Sequence, residues 1–232
     1  MSKLYALIPA AGSGSRMGAA MPKQYLPLAG KPVLYHAVRN LCRHMAIDQV
    51  MVVLAPGDTW FKQHDWSEFG PRLLPLYCGG GARANSVFNG LLAARDAIGG
   101  DDWVLVHDAV RPCLAIETLE RLIESVRNEP TGGLLALPVV DTLKRGTADS
   151  YVLNTEPRDN LWCAQTPQMF RYRLLLEALR AGAPESATDE ASAIERIGLK
   201  PKLVMGDSRN LKVTYPQDLG LAETLLRGME RL

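Results

Sequence analysis

Leu4-Tyr-Ala-Leu-Ile-Pro-Ala-Ala-Gly-Ser-Gly-Ser-Arg-Met-Gly18 decides how the rest of this chain is read. Its first six residues form a short apolar run that ends in a glycine-rich turn. Such a run, lacking the in-and-out alternation of a half-wetted strand, predicts a strand buried on both faces, as in parallel sheets. Residues 32–45 then place Val33, Leu34, Ala37, Val38, Leu41 and Met45 on one stripe, which predicts a helix laid over that sheet.

The same unit recurs along the chain. Residues 49–55 supply a second buried strand, and the turn-rich stretch 56–75 leads to a third short run at 73–78 and a second glycine-rich loop at 79–81. Residues 84–98 have helical apolar spacing, 103–107 form a strand, 108–112 a loop at its carboxyl end, 116–128 an amphipathic helix and 133–140 a strand. This alternation predicts a three-layer α/β fold with a mainly parallel sheet. Ligands of such open sheets bind beyond the carboxyl ends of the strands, so the loops beginning at residues 10, 79, 108 and 141 are expected to share one cleft.

Residues 141–160 depart from the pattern. They alternate weakly around a turn at 146–150, which predicts a polar hairpin projecting from the core. A two-stranded hairpin is marginal alone in water and needs a partner surface. Residues 170–181 and 189–197 return to helix, the second with Ser186 or Thr188 as candidate cap; 202–205 is strand and 216–232 a closing helix. With no repeat and no Pro/Ser/Gly linker, residues 1–232 are expected to form a single domain with an arm.

Composition narrows the function. A chain of 232 residues with 47% apolar and 22% charged content is globular, which excludes disorder, coiled coil and a small disulfide scaffold. A net charge of +1 argues against a protein living on the nucleic-acid backbone. The charge is unevenly placed, however: Lys3, Arg16, Lys23, Lys31, Arg39 and Arg43 precede the first acid, Asp48, which suggests an anionic ligand. Cys42, Cys78, Cys113 and Cys163 show no paired spacing and are expected to be reduced thiols in a cytoplasmic protein. The apolar opening is too short to span a bilayer and lacks the pattern of a signal peptide, so neither membrane nor leader is expected.

Gly12, Gly14 and Gly18 let backbone N–H groups approach phosphate oxygens, with Arg16 and Lys23 as fixed positive charge beside them. Such glycines also suit a plain turn between strand and helix; the two cations and the missing acids favour a phosphate cradle. Two better-known cradles fail on spacing. Three residues separate Gly14 from Gly18 and no acid follows before Asp48, unlike a dinucleotide fingerprint, while Met17 stands where a P-loop needs glycine. Asp108, just past an apolar strand, suits either a Mg²⁺ ligand or a loop cap, and Arg111 either a phosphate contact or a solvated charge. His107 points to the opposite side of the strand and reads as a satisfied structural histidine.

The run A-A-G-x-G-x-R-M-G with P-K-Q-Y, H-D-A-x-R-P at 107–112, D-T at 141–142, Q-T-P at 165–167, T-D-E at 188–190 and G-D-x-x-N-x-K-V-T from 206 resembles the 2-C-methyl-D-erythritol 4-phosphate cytidylyltransferases. The blocks span nearly the whole chain in the family's order. The resemblance implies a Rossmann-like nucleotidyltransferase fold, transfer of CMP from CTP to methylerythritol 4-phosphate in the non-mevalonate isoprenoid pathway, Mg²⁺ as cofactor, and a homodimer joined through the arm. It implies that Ala10, Ala11, Gly12 and Gly14 bind the triphosphate, and that Arg16, Lys23 and Lys212 are catalytic. Gly80, Arg83 and Ser86 then bind the cytosine end, Asp108 and Ala109 the ribose and metal, and Arg111, Thr142, Thr166 and Thr188 the acceptor. Arg158 is lent to the neighbouring subunit. Several have plainer readings: Ser86 and Thr188 as helix caps, Thr142 and Thr166 as strand residues, Lys212 as surface charge. A cytidylyltransferase for another polyol phosphate such as ribitol 5-phosphate shares most of these motifs, and a non-catalytic nucleotide sensor is the alternative from another class.

Overall fold

The computed structural model describes residues 2–12, 21–182 and 186–229. In chain order its elements are β1 (Leu4–Pro9), β2 (Pro27–Leu28), β3 (Lys31–Pro32), α1 (Val33–Arg43), β4 (Gln49–Val53), β5 (Leu73–Leu76), α2 (Arg83–Ala93), β6 (Trp103–Val106), α3 (Ile116–Val126) and β7 (Gly133–Pro138). There follow β8 (Leu143–Gly146), β9 (Val152–Glu156), β10 (Trp162–Arg171), α4 (Tyr172–Ala181), α5 (Glu190–Arg196), β11 (Lys202–Met205) and α6 (Gln217–Met229). Seven strands make one sheet in the order β11-β7-β10-β6-β1-β4-β5. All its pairings are parallel except those of β10, which runs antiparallel to both β6 and β7.

β1 is buried on both faces, as its apolar run requires. Leu4, Ala6 and Ile8 join the cluster under α1 and α3, whereas Tyr5 and Leu7 join the cluster under α2, α4 and α5. Trp103 and Leu105 of β6 face the first layer, Val104 and Val106 the second. Three layers result, with a smaller apolar cluster between Val33, Val110, Val213 and α6.

Three local expectations are corrected. Residues 162–171 form the ten-residue strand β10, so Phe170 and Arg171 are sheet and the helix begins at Tyr172. Pro167 hides this strand, because proline inside a run argues against a central strand; the register breaks between Ala164 and Gln168 around it. Met45 leaves the buried stripe of α1: the chain turns out of the helix at His44, and Met45 is 89% exposed. Asp189, not Ser186 or Thr188, caps α5, accepting from the Ser192 N–H while the Ser192 hydroxyl accepts from the Asp189 N–H.

The arm is present as a hairpin. β8 and β9 pair only with each other, in a sheet separate from the main one, and Tyr151, Val152 and Leu153 near its tip are 71%, 66% and 64% exposed.

Gly90 in α2 marks the closest approach of that helix to the sheet, since a Cβ there would lie 2.5 Å from Val53 Cγ2 and 2.8 Å from Leu7 Cδ1. Helix propensity favours alanine over glycine by about 1 kcal/mol, but overpacking a filled core costs about 1–3 kcal/mol. Gly90→Ala is therefore expected to destabilise the protein, read as a lower urea midpoint at unchanged slope; a raised midpoint would show that the layer yields freely.

Candidate active site

Three loops leave the carboxyl ends of β1, β5 and β6, and small residues and buried amides bring them together. The Ala10 N–H bonds Val53 O at 2.8 Å, and buried Gln24 donates through Nε2 to Ala10 O at 2.7 Å and Gly12 O at 3.1 Å. Gly79 seats the second loop by donating to Leu54 O at 2.8 Å. A Cβ at Gly79 would fall 2.2 Å from Ala11 Cβ, so glycine is what lets the two loops touch. Ser86, a full turn inside α2, accepts the Gly80 N–H at 3.1 Å and donates to Ala82 O at 3.2 Å. It fastens the glycine loop, while the N-cap position itself is Ala82.

Asp108 stands at the end of β6 with its side chain only 7% exposed. Its Oδ1 accepts Arg83 Nε at 2.8 Å, its Oδ2 lies 2.7 Å from Lys212 Nζ, and Arg111 Nε is 3.7 Å from Oδ2. Burial by itself would push the Asp108 carboxyl up; Arg83, Lys212 and Arg111 more than reverse this and keep it ionised far below the usual carboxylate range. Arg83 continues outward, its Nη1 and Nη2 donating to the two oxygens of buried Glu190 at 2.7 and 3.0 Å. Arg111 donates to Asn210 O at 2.6 Å, which clamps the segment bearing Lys212 against the Asp108 loop.

Beneath Asp108 lies a neutral relay. The Asp108 N–H donates to Thr166 Oγ1 at 3.0 Å, the Thr166 hydroxyl donates to His107 Nδ1 at 3.1 Å, and His107 Nε2–H donates to Arg111 O at 3.1 Å. Both partners are satisfied only by this tautomer of an uncharged ring, and burial pushes His107 down to about 4. His107 is the satisfied structural histidine expected of it.

Together these groups wall a cavity of about 510 Å³. Ala10, Ala11, Gly12, Gly80 and Ala109 line it together with Lys23, Arg83, Ser86, Asp108 and Lys212. Arg111 and Thr166 lie behind Asp108 and outside the lining, and Thr142, Arg158 and Thr188 are not on its wall either. Arg158 donates to Val140 O at the base of its own hairpin, and Thr188 is the residue before the α5 cap. Gly14, Arg16 and Gly18 fall outside the described residues. Of the four loops expected in one cleft, the one beginning at 141 is absent from the lining, because β10 separates β7 from β6. The segment after β11 contributes in its place, through Lys212.

Gln24, Glu190 and Asn210 organise the site, yet sequence reasoning gave none of them a role. Each lies inside a quoted block, P-K-Q-Y, T-D-E and G-D-x-x-N, but nothing local shows that a polar side chain will be buried. Among the described residues no three His, Cys, Asp or Glu side chains cluster as a ready-made metal site. All four cysteines are free, and burial pushes Cys42 and Cys113 up to about 11 and 12, away from reactive thiolate.

A mainly parallel α/β sheet with a glycine-lined cavity bordered by Lys23, Arg83 and Lys212 at the carboxyl end of its first strand suits an anionic nucleotide, and similarity to a known family gives the class as a nucleotidyltransferase. The model of the family 2-C-methyl-D-erythritol 4-phosphate cytidylyltransferase (IspD) matches residues 4–228. A protein of that name from Nitrosospira multiformis is 57% identical over 98% of this chain and 99% of its own, and one from Dechloromonas aromatica is 57% identical with the same coverage. Among solved structures, a 4-diphosphocytidyl-2C-methyl-D-erythritol synthase superposes with a TM-score of 0.87 at 42% identity, over 97% of this chain and 99% of that one. The Francisella tularensis 2-C-methyl-D-erythritol 4-phosphate cytidylyltransferase superposes with 0.83 at 34% identity, over 97% and 100%. This chain belongs to the 2-C-methyl-D-erythritol 4-phosphate cytidylyltransferase family.

The His107 relay carries a pH signature. An unfolded imidazole takes its proton near pH 6.5 and the folded one only near 4, so the stabilisation is complete above 6.5 and is lost as pH falls towards 4. The loss should be on the order of 2–3 kcal/mol. In His107→Gln, which keeps one donor and one acceptor, urea unfolding across that window should be flatter; an equal slope would place the titration elsewhere.

Proposed function

We infer that this protein transfers the cytidylyl group of CTP to 2-C-methyl-D-erythritol 4-phosphate, releasing pyrophosphate, in the non-mevalonate route to isoprenoids. The observation that carries this reading is Lys23 and Lys212 placed, with Asp108 between glycine-rich loops, around a cavity that suits a triphosphate. A phosphate oxygen of the acceptor forms a bond to the α-phosphorus of CTP, and the bond from that phosphorus to the bridging oxygen breaks, its electron pair leaving with pyrophosphate. With a second pKa of about 6, the acceptor phosphate is already an ionised nucleophile at neutral pH. No histidine or cysteine base is needed, which fits a buried, neutral His107 and the buried thiols of Cys42 and Cys113.

The backbone of Ala10, Ala11, Gly12 and Gly14 is assigned to the triphosphate, and Gly80, Ser86 and Arg83 to the cytosine end. Ala109 and Asp108 take the ribose side. Arg16, Lys23 and Lys212 meet the charge that develops on the α-phosphate and on the departing pyrophosphate. Mg²⁺, which usually keeps one or two carboxylates and completes its shell with substrate phosphates and water, fits Asp108 as its protein ligand, since each carboxylate oxygen retains a lone pair beside its present partner. When bound it supplies further charge neutralisation along the triphosphate. Arg111 and Thr166 serve the acceptor side by fixing the Asp108 loop, and Thr188 borders that side.

We assign Thr142 and Arg158 to the acceptor site of a second subunit. Their hairpin pairs with no strand of its own sheet and exposes Tyr151, Val152 and Leu153, a surface suited to a two-fold partner. Four free thiols suit the reducing cytoplasm, and among the described residues no helix is long and apolar enough to cross a membrane.

Pyrophosphate release from CTP with methylerythritol 4-phosphate and Mg²⁺ tests the function, with ribitol 5-phosphate run alongside; release only with the ribitol ester would shift the assignment to that acceptor. Lys23→Ala and Arg16→Ala should each lower turnover by about 100- to 1,000-fold while changing CTP affinity far less, because they meet charge that exists only in the transition state. Equal losses in turnover and in calorimetric CTP affinity would make them ground-state clamps.

The shared site is tested by mixing subunits. Lys23→Ala and Arg158→Ala proteins, each nearly inactive, are refolded together at equal ratio; half the dimers then pair one intact core with one intact arm. Recovery of roughly a quarter of wild-type activity is expected. Mixed dimers confirmed by mass but without recovery would place Arg158 in its own chain's site.

A further inference from the structure

The Arg83 side chain is held from both ends. It begins α2, where the positive end of the helix dipole disfavours a cation, and no basic residue occupies the last turn of that helix. Two carboxylates offset this: Asp108 on the cavity side and Glu190 on the other, the latter drawn from α5, 107 residues further on. Glu190 is 1% exposed, and its two oxygens take the Nη1 and Nη2 ends of the guanidinium in a fork, while Nε–H donates to Asp108.

The α5 end is itself secured. Gln168 of β10 donates to Asp189 Oδ2 at 2.9 Å and accepts the Ala191 N–H at 2.8 Å, on either side of Glu190. The fork is therefore anchored to the sheet through β10 and does not depend on the seven-residue helix alone.

We propose that Glu190 is a positioning residue for nucleotide binding: by gripping the Nη1 and Nη2 ends of Arg83, it fixes the plane of the guanidinium so that Nε meets Asp108 Oδ1 and Oδ2 is left to Lys212. Without the fork, Arg83 turns both of its ends onto Asp108, because a guanidinium matches a carboxylate bidentately. Asp108 Oδ2 is then withdrawn from Lys212, and the cavity wall loses the pairing that holds Lys212 in place. Glu190 never touches the ligand; its effect passes through Arg83 alone. This inference rests on reading the cavity as the CTP site, and that reading fails separately if wild-type protein releases no pyrophosphate.

The test is a cycle on CTP binding, measured by calorimetry without acceptor and paired with steady-state kinetics. Glutamine offers one acceptor oxygen in place of two and adds an amide N–H₂ that opposes the guanidinium. Glu190→Gln should weaken CTP binding about tenfold, the scale seen when a group orienting a site residue is lost, and leave the KM for methylerythritol 4-phosphate within twofold. Added to Arg83→Gln, the same substitution should change CTP affinity by less than twofold. Glu190→Asp, which keeps the charge but draws the carboxylate back by one methylene, should give a smaller loss in the same direction and decides the matter if Glu190→Gln does not fold. A Glu190→Gln protein that melts earlier yet binds CTP as wild type does would reduce Glu190 to a structural ion pair. An undiminished effect in the Arg83→Gln background, or wild-type CTP affinity in both Glu190 variants, would overturn the proposal.

Discussion

The negative charge of Asp108 constrains the whole site. A carboxylate at 7% exposure has lost most of its water, and left unpaired it would cost several kcal/mol. It is tolerated because Arg83 comes from the start of α2, Arg111 from its own loop and Lys212 from the segment after β11. Elements far apart in the chain are thus pinned to one point. Arg111 is the most buried of the three cations, whereas Arg83 and Lys212 keep part of their side chains in solvent at the cavity.

The sheet order explains where that point lies. From β1 the chain passes through α1 to β4 and β5 on one side, then crosses through α2 to β6 on the other. The carboxyl end of β1 is therefore the switch point of the sheet, where loops diverge to opposite faces and leave a crevice. Ala10, Ala11 and Gly12 border that crevice, and the cationic residues reach it from α2, from the turn bearing Lys23 and from the chain beyond β11. The antiparallel β10 completes the core between β6 and β7, but in doing so it moves the β7 end outward. The chain that leaves β7 then builds a hairpin instead of a wall.

Buried polar groups divide the work of the site into layers. His107 and Thr166 carry no charge and fix the backbone of Asp108. Gln24 does the same for the first loop, and Ser86 for the second. Each has partners within the protein, so the described parts of these loops are tied to the core independently of a ligand.

Wherever the relevant physics is local, the sequence by itself was sufficient. The unbroken apolar run of β1, the glycines that follow it and the helical stripes are all short-range patterns, and they suffice for the layer architecture. The motif blocks also hold Lys23, Asp108 and Lys212, which the fold gathers onto the wall of one cavity. Tertiary structure alone decided β10, because Pro167 masks a strand that exists only by pairing with β6 and β7. It also decided that Glu190, Gln24 and Asn210 are buried and which partner each one takes. A side chain's burial depends on what the fold packs against it, and when that neighbour is 107 residues away, as Arg83 is from Glu190, no local pattern records it.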